Sequence, residues 1–266
     1  MTSLAHPRST AGRVFEHRFL SYRKTFRASV FSSFLLPVLF LAAMGLGLGT
    51  YVDDGGSDSL GGVPYIVFLA PGLLVSTAMQ SAAFESTFPI MAGLQWSRVF
   101  HAMYATPIAG RDVAFGNLLW IAARLVLITT IFTVVIVVFG AAASPLIVFA
   151  VPIAVLTGLA FAAPIAAYSA TQRTVEKFNA IFRFGITPLF LFSGTFYPVD
   201  QLPTPLQALA WLTPLYHGVE LARGLSLGTI GDEPVLAVIH LAIILGFIVV
   251  GTWFAVRTIS ARLVRG

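Results

Sequence analysis

The 266-residue sequence contains no cysteine and few charged residues. Without cysteine, disulfide bonds, thiolate metal sites and a cysteine nucleophile are all excluded. Only 10% of the residues are charged and 57% are hydrophobic, whereas a soluble domain carries about 25% charged residues. The mean hydropathy is +0.88. This balance predicts an all-α polytopic membrane protein.

Lysine is scarce as well, since the chain holds only Lys24 and Lys177. Neither follows the glycine run of a Walker motif, so we expect no ATP site of this kind in the chain. If ATP drives the protein, a separate subunit binds the ATP and its Mg²⁺. We predict no catalytic residue, no metal and no cofactor bound by this chain. The first 27 residues are basic and lack a compact apolar core, which is not typical of a cleavable signal peptide.

Long apolar runs predict six transmembrane helices within a single domain, 1–266. A basic arm at 1–27 precedes the six-span region 28–256, and a tail at 257–266 follows it. Lysine and arginine gather in the arm, the tail and the loops after spans 2 and 4, so both termini are predicted to be cytoplasmic. The basic pI near 9.9 is explained by this topology, and we expect no nucleic-acid partner. The predicted spans are 28–50, 63–88, 113–139, 145–168, 179–197 and 234–256.

The arm carries aromatic residues at helical spacing. Phe15, Phe19, Tyr22 and Phe26 lie at i, i+4, i+7 and i+11, and basic residues fill most of the remaining positions. This pattern predicts an amphipathic helix in the membrane interface. The alternative is a basic cytoplasmic flank that happens to be helical.

Two charged residues lie within long apolar runs, Glu85 near the end of span 2 and Arg124 in span 3. These spans are consecutive and antiparallel, so we predict an ion pair, because an unpaired charge inside a membrane is costly. The pair has two interpretations. It fastens two helices, or it forms part of a polar relay that transmits motion.

The loop between spans 2 and 3 mixes aromatic and basic residues before Pro107 and Gly110. Its spacing predicts one short amphipathic helix at the cytoplasmic face, which lipid or another protein must cover. The residues on this predicted helix are Trp96, Arg98, Phe100, His101, Met103 and Tyr104.

The stretch 189–225 is apolar yet broken by prolines, which fits a membrane only where protein or water covers the backbone. Asp200 is predicted to cap a helix near Pro203. His217 and Glu220 have the spacing of two metal ligands, but a zinc site needs more ligands, and Glu220 is expected to pair with Arg223. The candidate functional residues of this stretch are Tyr197, Pro198, Pro203, Pro214, His217, Glu220 and Arg223.

Taken in order, several motifs resemble ABC-2-type transport permeases over almost the whole chain. They are the apolar YIVFLAPGLL run from Tyr65, the ATP tripeptide from Ala105 with the following Arg111-Asp112, and the 192–225 block FSGTFYPVDQLP…LTPLYHGVELARGL. The branch that this chain is most similar to exports lipo-oligosaccharides of the nodulation-factor type and drugs of the daunorubicin type.

This resemblance implies a permease subunit of an ATP-driven exporter in the bacterial cytoplasmic membrane. Two permeases, either two copies or a copy and a sister permease, would pair with two ATPase subunits, which the loop between spans 2 and 3 would contact as a coupling helix. The 192–225 block would form short re-entrant helices that close the external end of the pathway, unless it is an extracellular cap that does not contact the substrate. An amphiphilic substrate would leave between the permeases. The candidate pathway residues are Phe34, Phe40, Met44, Phe184, Phe190, Phe192 and Phe196.

Two other classes compete with this interpretation. A secondary transporter or channel without an ATPase would need titratable groups inside the membrane, and Glu85, Arg124 and His240 are the candidates. A membrane enzyme acting on lipids would need clustered acids or histidines, for which His217 and Glu220 are the hint.

Overall fold

A computed structural model describes residues 10–23, 35, 38–54 and 62–265. Every regular element in these ranges is helical. In chain order the α-helices are α1 (Thr10–Arg23), α2 (Gly49–Asp54), α3 (Tyr65–Met91), α4 (Val99–Tyr104), α5 (Gly110–Val138), α6 (Ala150–Thr171), α7 (Glu176–Ile181), α8 (Thr187–Phe192), α9 (Thr204–Trp211), α10 (Pro214–Leu227) and α11 (Pro234–Arg265).

Shorter helical turns extend or join these helices. π-helical segments precede α2 (Leu41–Leu48), continue α3 (Ala92–Trp96) and join α7 to α8 (Phe182–Ile186). A 3₁₀ turn, Pro145–Phe149, leads into α6, and Ser144 caps it by accepting a hydrogen bond from the Leu146 amide. Another, Val199–Gln201, lies before α9.

Among the described residues, four helical stretches are long and apolar enough to cross a membrane: Tyr65–Trp96, Gly110–Val138, Pro145–Thr171 and Pro234–Arg265. They correspond to predicted spans 2, 3, 4 and 6. The first and the last continue well past their predicted ends. The segment set apart as a tail from 257 is therefore the last part of α11, up to Arg265.

Predicted spans 1 and 5 are not shown as single long helices. The first half of span 1 lies mostly outside the described residues, and its second half continues as helix to Asp54. Span 5 is helical from Glu176 to Phe192 in three short pieces and ends before Ser193. It ends there because Ser193 leaves the helical conformation and Gly194 has a φ of +83°.

α3 is the central helix of the molecule. In the most apolar stretch of this helix, 83% of the residues are buried inside the protein. In the most apolar stretch of α11, only 17% of the residues are buried. A helix that is apolar on all sides is expected at the centre, where other helices cover it. The largest buried cluster joins α3 to α5, α6 and α10 through residues such as Leu74, Leu125, Phe161 and Val219. α11 lies against α6, where Gly251 contacts Pro164.

The arm helix α1 packs against α5. Its buried residue is Val14, seated against Gly116, which leaves no room there for a Cβ atom. Phe15 and Tyr22 contact Trp120 of α5, with ring centroids 6.0 and 5.2 Å away. Of the predicted aromatic face, Phe19 is exposed in the structure, and Phe26 lies outside the described residues.

Candidate translocation and coupling sites

The chain between α8 and α9 folds back onto the central helix. Thr195 is fully buried, and its hydroxyl lies 2.8 Å from that of Ser76 on α3. A Cβ atom on Gly72 would come within 3.0 Å of the Thr195 backbone, so the missing side chain permits the close approach. Non-helical backbone in this loop is thus covered by protein, the arrangement that a place inside a membrane would require.

Arg223 joins α10 to this loop and to α3. It donates hydrogen bonds to a Glu220 carboxylate oxygen at 2.7 Å and to the Gly194 carbonyl oxygen. Its guanidinium lies 3.9 Å from the centroid of the Phe68 ring on α3. The pair expected from the spacing of Glu220 and Arg223 is therefore present, and it holds three parts of the chain together.

His217 is buried and bonded within the protein. One ring nitrogen lies 2.9 Å from the Trp211 carbonyl oxygen, and the other bonds a ring nitrogen of His240 on α11. Tyr216 stacks on Trp211 beside them. Both ring nitrogens of His217 are thus engaged, and in the described ranges no group of three His, Cys, Asp or Glu residues could hold a metal ion.

The prolines of this region delimit short elements. Pro198 precedes the 3₁₀ turn, Pro203 precedes α9 and Pro214 is the first residue of α10. The prediction that Asp200 caps a helix is wrong, because Asp200 lies within the turn and no side chain caps α9. Tyr197 is half-buried in the loop before Pro198.

Three of the candidate pathway residues form one aromatic cluster. The rings of Phe40, Phe190 and Phe196 lie with centroids 5.0 to 6.1 Å apart. Met44 and Phe192 are half-buried and Phe184 is 76% exposed. Phe34 lies outside the described residues.

The structure brings together the two charged residues that the sequence paired. Arg124 on α5 donates a hydrogen bond to the Glu85 carboxylate on α3, and both side chains are largely buried. The ring of Tyr22 on α1 covers the guanidinium, with its centroid 4.8 Å away. A cation is stabilised over the face of an aromatic ring, so α1 contributes to this site.

Sequence reasoning did not identify Arg18, whose side chain reaches the same region. It donates hydrogen bonds to the Asn117 side chain at 2.8 Å and to the Pro89 carbonyl oxygen at 3.3 Å. Burial lowers the pKa of Arg18, and the nearby carboxylate of Glu85 partly offsets this effect. The available signal was its helical spacing from Val14 and Tyr22, which puts all three on one face of α1.

The predicted coupling helix is two elements rather than one. The helix of α3 continues through Trp96, and Arg98 then adopts a left-handed conformation with φ +50° before α4 begins at Val99. Phe100 is buried against Gly93, so its ring does not face outward in this chain. Trp96 is 62% and Tyr104 39% exposed, Arg98 is exposed, and Met103 and His101 are half-buried.

A profile of the ABC-2 type transporter family matches residues 13–227 of this chain. The match extends from α1 through α10. It therefore includes the buried charged residues, the coupling segment and the folded-back loop described above.

Full-length relatives support the same grouping. The chain is 31% identical over 250 residues to nodulation protein J of Sinorhizobium fredii (strain NBRC 101917 / NGR234), covering 94% of this chain and 92% of that protein. It is 30% identical over 253 residues to nodulation protein J of Rhizobium leguminosarum bv. viciae, covering 95% and 94%. The protein of the same name from Bradyrhizobium diazoefficiens is 29% identical over 252 residues.

Proposed function

Because this chain belongs to the ABC-2 type transporter family, we propose that it is the membrane permease subunit of an ATP-driven exporter. The observation that carries the proposal is the family match over residues 13–227, which includes the buried charge pair, the coupling segment and the folded-back loop. A separate ATPase subunit, in two copies, binds ATP and Mg²⁺ and supplies the energy. No catalytic step is assigned to residues of this chain.

The coupling surface that we propose is formed by Trp96, Arg98, Met103 and Tyr104, with His101 at its edge. Trp96 is the last residue of the helix that begins at Tyr65. A displacement of this side chain by the ATPase subunit would therefore be transmitted directly to the central helix. Phe100 has a different role from the one first expected. Its ring packs under Gly93 and lies 5.4 Å from the Arg18 guanidinium, so it passes movement of α4 on to α3 and α1.

The buried pair of Glu85 and Arg124 is the next step in this path. It links α3 to α5, and Tyr22 and Arg18 link the same site to α1. We propose that these groups keep the three helices moving as one unit when the ATPase subunits close. Such a relay requires that the charged groups keep the same partners, and it does not require any of them to gain or lose a proton. This suits an exporter driven by ATP.

The substrate that we propose is an amphiphile, either a lipo-oligosaccharide or a flat hydrophobic drug. It would leave along an interface between two permeases, past Phe40, Phe190 and Phe196. Their edge-to-face packing and partial burial give an apolar aromatic surface that favours acyl chains and ring systems over ions. The segment from Tyr197 to Arg223 would close the external end.

In the proposed topology the protein lies in the bacterial cytoplasmic membrane, with both termini in the cytoplasm. Predicted spans 1 and 5 cross the membrane together with the four long helices, which gives six spans. Helices α9 and α10 are re-entrant. The second permease is another copy of this chain or a sister permease. Basic residues before α4, after α6 and near the end of α11 support this orientation through the positive-inside rule, namely Arg98, Arg173, Arg257, Arg262 and Arg265.

The first experiment is purification of the tagged chain in mild detergent, with mass spectrometry and ATP-hydrolysis assays on what copurifies. An ATPase subunit in equal amount is expected. Replacing both Trp96 and Tyr104 with Asp should reduce that recovery about tenfold, because aromatic anchors dominate protein interfaces. Tyr51→Asp is the matched control, since Tyr51 is an exposed tyrosine on α2, at the predicted external face.

Two results would argue against the proposal. Repeated absence of any ATPase would favour a carrier that works without one. Unchanged ATPase recovery in the Trp96 and Tyr104 variant would remove this segment as the contact.

A further inference from the structure

A basic cavity lies beside the coupling segment and shares Arg98 and His101 with it. Its volume is about 730 Å³. Its walls come from the end of the α3 helix, from α4, from the end of α6 and from the last turns of α11. Five basic side chains line it: Arg98, His101, Arg173, Arg262 and Arg265.

Three of the arginines that line this cavity have no acidic partner in the part of the chain that the structure describes. None of its lining residues is acidic. Within the described parts of the chain, Arg173, Arg262 and Arg265 form no ion pair. Burial lowers the pKa of His101, and nearby Arg98 and Arg262 lower it further, which indicates a positive potential inside the cavity.

Two further features are typical of a ligand-binding site. Both ring nitrogens of His101 are buried and have no hydrogen-bond partner among the described residues. Arg98 is the one non-glycine residue in the described ranges with a positive φ. Such a conformation costs energy and is typical of functional sites. Helix ends ordinarily attract basic residues, which explains Arg262 and Arg265 at the end of α11. It does not explain why residues from four separate segments converge on one cavity.

We propose that this cavity binds the phosphate group of an anionic phospholipid. Guanidinium groups match phosphate oxygens in charge and geometry. Three long helices end around the cavity, which puts it at the level of the lipid headgroups, and basic pockets between membrane helices at the cytoplasmic side are suited to such headgroups. Leu94, Ala170 and Ala261 give one part of the wall an apolar surface for the adjoining glycerol and acyl carbons.

A lipid bound there would connect three moving parts. Arg98 and His101 belong to the coupling segment, whereas Arg173 follows α6 and Arg262 belongs to α11. The lipid phosphate would hold α4 against these helices without any direct side-chain pair between them. The lipid site stands independently of the exporter proposal, because its occupancy is measured without transport.

The test is native mass spectrometry of the purified chain, with the subunits that copurify, during titration with phosphatidylglycerol. Phosphatidylcholine with the same acyl chains reports binding that does not depend on charge. Inorganic phosphate, added as a competitor, tests for a site that takes the free anion. The expected result is one phosphatidylglycerol retained more tightly than phosphatidylcholine and not displaced by millimolar phosphate.

The decisive variant is Arg173→Gln with Arg262→Gln, expected to weaken phosphatidylglycerol retention about tenfold or more, since each basic residue contributes appreciably to binding an anionic lipid. Arg13→Gln with Arg111→Gln is the matched control, because these exposed arginines lie away from the cavity. Arg262→Lys keeps the charge and should retain most of the binding. If the double variant elutes as aggregate, the two single Gln variants are measured instead, each with a smaller expected loss.

Three results would overturn the proposal. The first is equal phosphatidylglycerol retention by the cavity variants and the control. The second is displacement of the lipid by inorganic phosphate, which would make the site one for a free anion. The third is equal retention of phosphatidylcholine.

Discussion

At the scale of single residues, the buried charges show how this protein tolerates ions in an apolar interior. Arg223 has a carboxylate, a carbonyl oxygen and an aromatic ring around it. Arg124 has Glu85 and the ring of Tyr22, and Arg18 has Asn117 and a backbone carbonyl. Each cation is stabilised by groups from at least one other helix, so these charges also fix how the helices pack.

The Glu85 and Arg124 pair gives a prediction at this scale. Arg124→Ala leaves the Glu85 carboxylate buried without its direct partner, and breaking such a pair costs about 3 kcal/mol. The double variant Glu85→Ala with Arg124→Ala should be more stable than the single one, because no unpaired carboxylate remains. The apparent melting temperature of the detergent-purified protein, followed by size-exclusion chromatography, measures the order. Equal or milder damage from Arg124→Ala alone would refute the pairing.

At the scale of helices, small residues decide which elements approach one another. Gly72 admits the Thr195 backbone to α3, Gly158 admits Leu125, and Gly251 admits Pro164. In a membrane, where apolar lipid does not drive helices together, close contact between small residues is a main source of association. The folded-back loop and the bundle around α3 both depend on such contacts.

Gly72→Ala tests this argument for the folded-back loop. The new methyl group would lie 3.0 Å from Cα and the carbonyl oxygen of Thr195, and backbone atoms cannot rotate away. We expect a loss of about 1–3 kcal/mol in stability, in line with overpacking elsewhere. Gly246→Ala is the control, because nothing lies within 4 Å of the added Cβ atom. A melting temperature unchanged by Gly72→Ala would show that the loop is not held this tightly.

At the scale of the whole molecule, contacts between distant segments hold both ends of the helical bundle together. The loop before α6 bonds the end of α10, with the Ser144 amide 2.8 Å from the Ser226 carbonyl oxygen. Gly110 at the start of α5 contacts Ser260 near the end of α11. The two opposite ends of the helical bundle are thus each held together by contacts between segments that are distant in the sequence.

Cysteine labelling tests which end of the bundle lies outside the cell and which lies in the cytoplasm. The chain contains no cysteine, so a single introduced thiol reports its own position. We expect Asp232→Cys to react with a membrane-impermeant maleimide in intact cells, and Thr174→Cys to react only after the membrane is opened. The unaltered chain is the control and should not be labelled. The reverse labelling pattern would invert the proposed topology.

Much of the architecture follows from composition and local pattern. Apolar runs located all four long helices to within a few residues at their starts, because the demand for an apolar length acts on each segment separately. The ends of two of these helices were less accurate. Trp96 and Arg265 lie beyond the predicted ends because a helix continues into the interface wherever no residue breaks it. The absence of cysteine and of a Walker motif, and the bias of basic residues, are likewise properties of the sequence alone.

The tertiary structure decided which side each functional residue faces. Sequence spacing put Phe100 and Trp96 on one amphipathic helix, but Gly93 opens a space for Phe100 and the turn at Arg98 separates it from Trp96. Arg18 reaches Asn117 because α1 packs on α5, and five basic residues from four segments meet around one cavity. Local patterns specify helices because hydrogen bonds within a helix are local, whereas these contacts depend on how distant segments pack.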